Sequence, residues 1–151
     1  MDAIQLLKQE HEKAKQVFGQ ILEGSGEERG QLWKKLKPEL KVHEQMEETA
    51  LYGPVARDAG SENQDLKQWE AQHQQEVGEL ESLIKEIDEL DPTEEEWIEK
   101  IQDLHETLEH HIDEEEGNIW PQIRQAWNQS KLEQAANQME TLKKQKMQQA
   151  A

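Results

Sequence analysis

The stretch "HHIDEEEGNIW", His110 to Trp120, decides how the chain is read. Two adjacent histidines precede a run of four acidic residues, and the stretch closes on large apolar side chains. An earlier stretch, "HEQMEETALY" from His43 to Tyr52, is a variant of it. A shift of 68 positions lays His43 on His111, Glu47 on Glu115, Leu51 on Ile119 and Tyr52 on Trp120.

The sequence around both stretches predicts helices. Glycine and proline fall mainly in three interior breaks, "EGSGEE" at 23–28, "YGPVARDAGS" at 52–61 and "ELDPT" at 89–93. Between them Gln, Glu, Lys, Leu and Ala dominate, all good helix formers. Asp2 before Gln5, Ser61 before Gln64 and Thr93 before Glu96 have the spacing of a capping box. Ser130 before Glu133 opens a further, short helix over 130–147. No segment alternates with period two, so no sheet is expected.

Apolar residues recur at steps of three and four, the spacing of a buried helix stripe. The first helix gives Ile4, Leu7, His11, Ala14, Phe18 and Ile21, and the second gives Leu36, Leu40, His43, Glu47 and Ala50. The third gives Leu66, Trp69, His73, Val77, Leu80, Ile84 and Ile87, and the fourth Trp97, Ile101, Leu104, Leu108, His111 and Glu115. Pro38 either kinks the second helix or starts its main part. His110 lies about 100° round the helix from His111 and is expected to face outward.

Short connections imply an all-α, up-down-up-down four-helix bundle over residues 2–127, with the short C-terminal helix added, as one domain over 1–151. In that arrangement His11, His43, His73 and His111 each lie nine to twelve residues from the same end of the bundle. That is roughly 13–18 Å at the helical rise, so every helix delivers one histidine to one layer. Glu47 and Glu115 join them one turn away on the same faces. A lone core histidine is ordinarily a hydrogen-bonded structural residue, and most of the acidic positions, Glu95 and Glu114 among them, read as solvated helix surface. Four histidines and two carboxylates at one level are not accounted for that way, because a buried carboxylate without compensation costs several kcal/mol.

Composition narrows the ligand. Leu, Ile, Val and Phe make up only 29 of 151 residues, 34% of residues are charged, and the net charge is -17. Such acidity repels a phosphate backbone and speaks against a nucleic-acid partner, while a cation suits it. There is no cysteine, hence no thiolate or iron–sulfur chemistry. The N-terminus lacks a signal-peptide pattern and no apolar run is long enough to span a bilayer, so a cytoplasmic setting with no membrane partner is expected. The oligomeric state has no signal in the sequence. Four imidazoles with carboxylates suit transition metals rather than Ca²⁺ or Mg²⁺, and six ligands exceed one tetrahedral zinc. Two metals with both glutamates bridging would leave open positions for small molecules.

The order His, HxxxE, His, HxxxE in "KQEHEK", "HEQMEETALY", "EAQHQQEV" and "HIDEEEGNIWP" resembles the hemerythrin-like HHE cation-binding family, over residues 2 to about 127. The resemblance implies a non-haem diiron centre, two iron ions that bind O₂ or a related small molecule such as H₂O₂. It also implies that His11 and His43 serve one iron, that His73 and His111 serve the other, and that Glu47 and Glu115 bridge. Oxygen-carrying hemerythrins have a further histidine four residues after the helix-three histidine, where this chain has Val77, and an aspartate where it has Glu115. The vacancy could be filled by water or by an extra carboxylate, with Glu44 first in line and Glu70 and Glu76 next. Exposure of both metals tilts the reading toward peroxide turnover or oxygen and redox sensing. Carrier, enzyme and sensor stay open, as do a non-catalytic iron-binding or metal-buffering module and an interaction bundle with a structural metal.

Overall fold

The computed structural model describes residues 1–59 and 61–150. Its helices are α1 (Ala3–Glu23), α2 (Gly26–Glu47), α3 (Gly53–Ala59), α4 (Gln64–Asp88), α5 (Glu95–Glu114), α6 (Trp120–Ala126) and α7 (Gln129–Ala150). One π-helical turn, Glu48–Tyr52, joins α2 to α3, and another, Glu115–Ile119, joins α5 to α6. The four-helix bundle expected from the sequence is present: α1 packs on α2 and α4 on α5, while α1–α5 and α2–α4 contacts close the barrel of helices.

Local chemistry sets most boundaries. Asp2 opens α1 with a full capping box, its side chain accepting from the Gln5 backbone while the Gln5 side chain accepts from the Asp2 N–H. The first reversal is tighter than the predicted break. It needs only Gly24 and Ser25 before Gly26, whose φ of 54° is left-handed and open to glycine. Pro38 neither starts nor ends a helix and sits inside α2. The capping boxes read at Ser61 and Thr93 are not formed. Asn63 caps α4 by accepting from Leu66 N–H at 3.1 Å, and Thr93 is engaged with Asp91 while Glu94 precedes α5.

The break expected over 52–61 is also displaced. At Gly53 the N–H reaches back to Glu48 O, a π-type bond, and the helix then continues through Pro54. Proline fits there because a first-turn residue needs no N–H donor. Pro121 occupies the same kind of position directly after Trp120, whose N–H bonds to Glu115 O. The C-terminal helix is longer than the predicted 130–147. At 22 residues α7 matches α2 in length and lies across α1 and α2, burying Leu132, Ala135, Ala136 and Met139.

Every predicted stripe residue is buried except Ala14 and Val77, which are half-buried. The apolar core divides in two. One cluster, around Leu7, Met46, Leu51, Trp69, Trp120 and Met139, fills the end where α3, α6 and α7 meet the bundle. The other, around Phe18, Leu36, Ile84, Trp97, Ile101 and Leu104, fills the opposite end. The layer holding His11, His43, His73 and His111 lies between them along each helix.

The π-turn at Glu48 depends on close approach at Gly53, where an added Cβ would meet Glu48 O at 2.9 Å. Gly53→Ala is expected to destabilise the fold by about 1–3 kcal/mol through this overpacking. Gly19, in the interior of α1 with open space around its Cα, should respond oppositely, Gly19→Ala adding about 0.5–1 kcal/mol. Denaturant midpoints of the two variants check both signs, and a neutral Gly53→Ala would mean that the π-turn tolerates a side chain.

Candidate metal centre

The six residues singled out from the sequence come together. His11 is carried by α1, His43 and Glu47 by α2, His73 by α4, His111 by α5, and Glu115 by the first position of the second π-turn; all six are buried. His110, by contrast, is exposed. The ligand-type atoms of His11, His43, Glu47 and Glu115 lie within 4.8 Å of one another, and so do those of Glu44, Glu47, His73 and His111. Glu47 belongs to both groups.

The carboxylates differ in how they meet the imidazoles. Glu47 offers one oxygen to each side, Oε2 to His43 Nε2 at 3.5 Å and Oε1 to His73 Nε2 at 3.3 Å. Glu115 turns Oε1 toward both His11 Nε2 and His111 Nε2, each at 3.3 Å. Its other oxygen accepts from the Tyr52 hydroxyl, which lies 3.4 Å from Glu47 Oε2 and accepts in turn from Trp120 Nε1 at 2.9 Å. In an α-helix residues five apart sit about 140° away from each other. The π-turn widens the helix, so Glu47 and Tyr52 share one face.

Glu44, weighed from the sequence as an extra ligand, does enter the centre. Its Oε2 lies 2.9 Å from His73 Nε2 and 3.8 Å from His111 Nε2. Glu76 and Glu70 do not. Glu76 instead accepts from His111 Nδ1 at 2.7 Å, on the outer side of the ring, and Glu70 stays outside both groups.

That outer contact is part of a shell the sequence reading missed. Nδ1 of His11 donates to Glu116 at 2.8 Å and Nδ1 of His43 to Glu10 at 2.9 Å, while Nδ1 of His73 lies 3.5 Å from Glu48. An ionised carboxylate only accepts, so Nδ1 of His11, His43 and His111 keeps its proton and their Nε2 atoms are turned inward. The Nε2 atoms of His11, His43 and His111 and Oε1 of Glu115 are buried without a hydrogen-bond partner. Buried polar atoms seldom remain so unless something outside the protein satisfies them. Imidazoles with a carboxylate behind Nδ1 and a free Nε2 in front are the usual arrangement of metal-binding histidines. Glu48 and Glu116 had a visible signal, since both follow the inner glutamate in "MEE" and "EEE" and correspond under the shift of 68. Glu76 was visible only as a possible extra ligand one turn from His73, and Glu10 had no signal, looking like an ordinary surface glutamate.

A profile of the hemerythrin HHE cation-binding domain matches residues 2–123. The chain belongs to this family. Among solved structures it is similar to a hemerythrin HHE cation-binding domain-containing protein from Mycobacterium kansasii, at 26% identity and a TM-score of 0.75, over 97% of this chain and 87% of that one. No curated protein matches the sequence. Family membership and the donor set agree: the cluster fits metal ions bound through four imidazoles and the carboxylates between them.

Electrostatics points the same way. Burial opposes charge on His43, but Glu47 and the Glu10 hydrogen bond overcome it and hold its pKa well above the usual 6.5. His73 is likewise pushed up to about 12 against burial by Glu44, Glu47 and Glu48, and burial at His111 is overcome by Glu115, which raises its pKa. Burial and the neighbouring Glu47 raise the Glu44 carboxyl. Burial works against the Glu47 charge too, yet the facing histidines, His43 first, keep its pKa well below the ordinary value. Without metal, protons on the imidazoles must therefore supply the positive charge this layer demands.

Two outcomes are expected. Glu47→Ala or Glu115→Ala should abolish most metal binding, whereas Glu114→Ala, which loses only a contact to Asn118, should leave it nearly intact. His111→Ala should lose at least tenfold in affinity and His110→Ala little, as read by metal titration; equal losses at the two histidines would put His110 in the centre. The second concerns pH. Raised histidine pKa values add stability that is complete below the unfolded value of 6.5 and is lost as pH climbs toward the folded values. Melting of the metal-free chain should thus fall by several degrees between about pH 6.5 and 8.5. The metal-bound chain should gain relative to it, because protons no longer compete for Nε2. Calorimetry of both forms decides; a flat metal-free profile would mean that the imidazoles are neutral throughout.

Proposed function

We propose that the chain is a diiron protein whose centre meets O₂ or a partly reduced oxygen species, acting in the cytoplasm without a nucleic-acid or membrane partner. The observation that carries this reading is the convergence of unpartnered, buried Nε2 atoms on carboxylates that no lysine or arginine among the described residues pairs with. His11 and His43 would hold one iron, with His73, His111 and Glu44 holding the other. Glu47, with an oxygen toward each half, and Glu115, with one oxygen toward both, would bridge. Two ferrous ions, when bound, supply the pair of electrons needed to reduce O₂ or a peroxide.

The remaining groups shape access and protons. A cavity of about 50 Å³ leads past Ala14, Phe18 and Leu40 to His11 and His43. Another of about 220 Å³ leads past Val77, Leu80 and Leu104 to His73 and Glu44. Both are mostly apolar, which suits small neutral molecules better than ions. Tyr52 keeps its proton, because burial and the nearby Glu115 push its pKa well above 10. Its hydroxyl fixes the second oxygen of Glu115 and leaves the first free to face the imidazoles.

Access from two sides favours turnover or sensing over protected carriage of O₂. Elemental analysis of iron-replete protein, paired with the optical spectrum of the ferrous form before and after air, tests the metal assignment. Two irons per chain are expected; one iron with the site filled would defeat the diiron reading. Sustained loss of added H₂O₂ would establish an enzyme, and a stoichiometric, reversible spectral change would establish a binding module.

A further inference from the structure

The family profile ends at residue 123, yet α7 beyond it reaches the candidate centre. Lys143 Nζ lies 2.6 Å from Glu10 Oε2. The other oxygen of that carboxylate accepts from His43 Nδ1 at 2.9 Å. A three-residue chain, Lys143 to Glu10 to His43, thus runs from a helix outside the bundle to an inward-facing Nε2. Its outer counterparts are built otherwise. Glu48 accepts from Gln74 and Glu76 from Gln72. Among the described residues no lysine or arginine pairs with Glu48, Glu76 or Glu116.

Two physical consequences follow for the His43 side. Gripped at both oxygens, Glu10 loses the side-chain freedom that would let it leave Nδ1, so the His43 ring is held in one orientation. The dependence also runs in the other direction. The apolar anchors of α7 are Leu132, Ala135, Ala136 and Met139, and among the described residues after Met139 only the half-buried Leu142 and Met147 pack on the core. The final turns therefore lean on the Lys143 ion pair, and that pair is only as ordered as the Glu10 and His43 behind it. Coupling of two sites through one contact is reciprocal.

We propose that Lys143 is a positioning residue for the His11/His43 half of the centre, so that docking of the end of α7 and metal occupancy of that half reinforce each other. This rests on the two-metal reading given above. Lys143 does not touch the metal position; it acts through Glu10.

The test uses the full chain loaded anaerobically with Fe(II), with release followed by a chromogenic ferrous chelator. In the wild type two equivalents should leave. Lys143→Met should speed one of them about tenfold, the size of effect seen for partners behind a metal ligand, and leave the other within about twofold. Lys143→Arg should restore the slow phase, and Lys144→Met, at an exposed neighbour, should match the wild type. In a Glu10→Gln background the Lys143→Met change should add less than about twofold, as a shared pathway requires. Amide hydrogen exchange over residues 140–149 gives a second readout: iron should slow it in the wild type and not in Lys143→Met. Equal acceleration of both equivalents, or an undiminished effect in the Glu10→Gln background, would reduce Lys143 to general packing and overturn the proposal. Two bound irons with release unchanged by Lys143→Met would overturn it alone, whereas a wild type that binds no iron would overturn it together with the diiron reading.

Discussion

Three carboxylates, Glu44, Glu47 and Glu115, are shut into one layer of the bundle, and among the described residues no lysine or arginine pairs with them. That single constraint organises the rest. Charges withdrawn from water must be compensated within a few ångströms or be given up by protonation. The compensation available lies in the imidazoles: His43, His73 and His111 take up protons, or the four rings hold cations at Nε2. Proton and metal compete for the same atoms, so the geometry that raises the histidine pKa values is also the geometry that attracts a metal. The polar layer also splits the apolar core, and in a chain this poor in aliphatic residues neither half is large. Compensation of the layer therefore bears on whether the two halves stay together.

The internal repeat becomes a physical pairing in the fold. Tyr52 and Trp120, which correspond under the shift of 68, touch directly through the Trp120 Nε1 to Tyr52 hydroxyl bond. Glu48 backs His73 while its counterpart Glu116 backs His11, and Glu10 backs His43 as Glu76 backs His111. Each half of the chain thus supplies one outer carboxylate to the other half, which ties the halves through the centre itself. Where the repeat fails, the two sides become inequivalent. Glu44 corresponds to Ile112, so among the described residues only the His73/His111 side gains a third inner carboxylate.

How much of this was legible in the sequence depended on how many residues shared each signal. The buried stripes are sums over four or five turns, so a misleading position such as Val77 did not disturb them. They separated His111 from His110 correctly because a neighbour on a helix is displaced by a quarter turn or more. Caps rest on one residue and its third neighbour. Ser61 and Thr93 had the right letters, but Asn63 captured α4 and Asp91 captured Thr93. The π-turns had no compositional mark, since what makes them is a bond from Gly53 to Glu48 and from Trp120 to Glu115. Of the outer carboxylates, Glu48 and Glu116 were marked by the repeat, while the roles of Glu10 and Glu76 were hidden among 34 acidic residues. Their partners lie on other helices, and only the fold selects them.

The substitution at Val77 links that partial legibility to chemistry. Four residues beyond His73, Val77 lines the larger cavity and offers no nitrogen. The donor brought to His73 comes instead from α2, as the Glu44 oxygen at 2.9 Å. Exchanging a neutral imidazole for an anionic oxygen alters the charge around any bound cation and not merely its coordination number. Negative oxygens at this range favour the more positive charge state of a metal, and they do so strongly where water is excluded. If the centre holds iron as proposed, a bias in that direction makes it give up electrons readily and suits it less to releasing O₂ unchanged. The cavity at Val77 meanwhile keeps a path open to the same side. Under the proposed diiron reading, a harder donor set and an unblocked approach weigh together on the side of reaction with oxygen species rather than their storage.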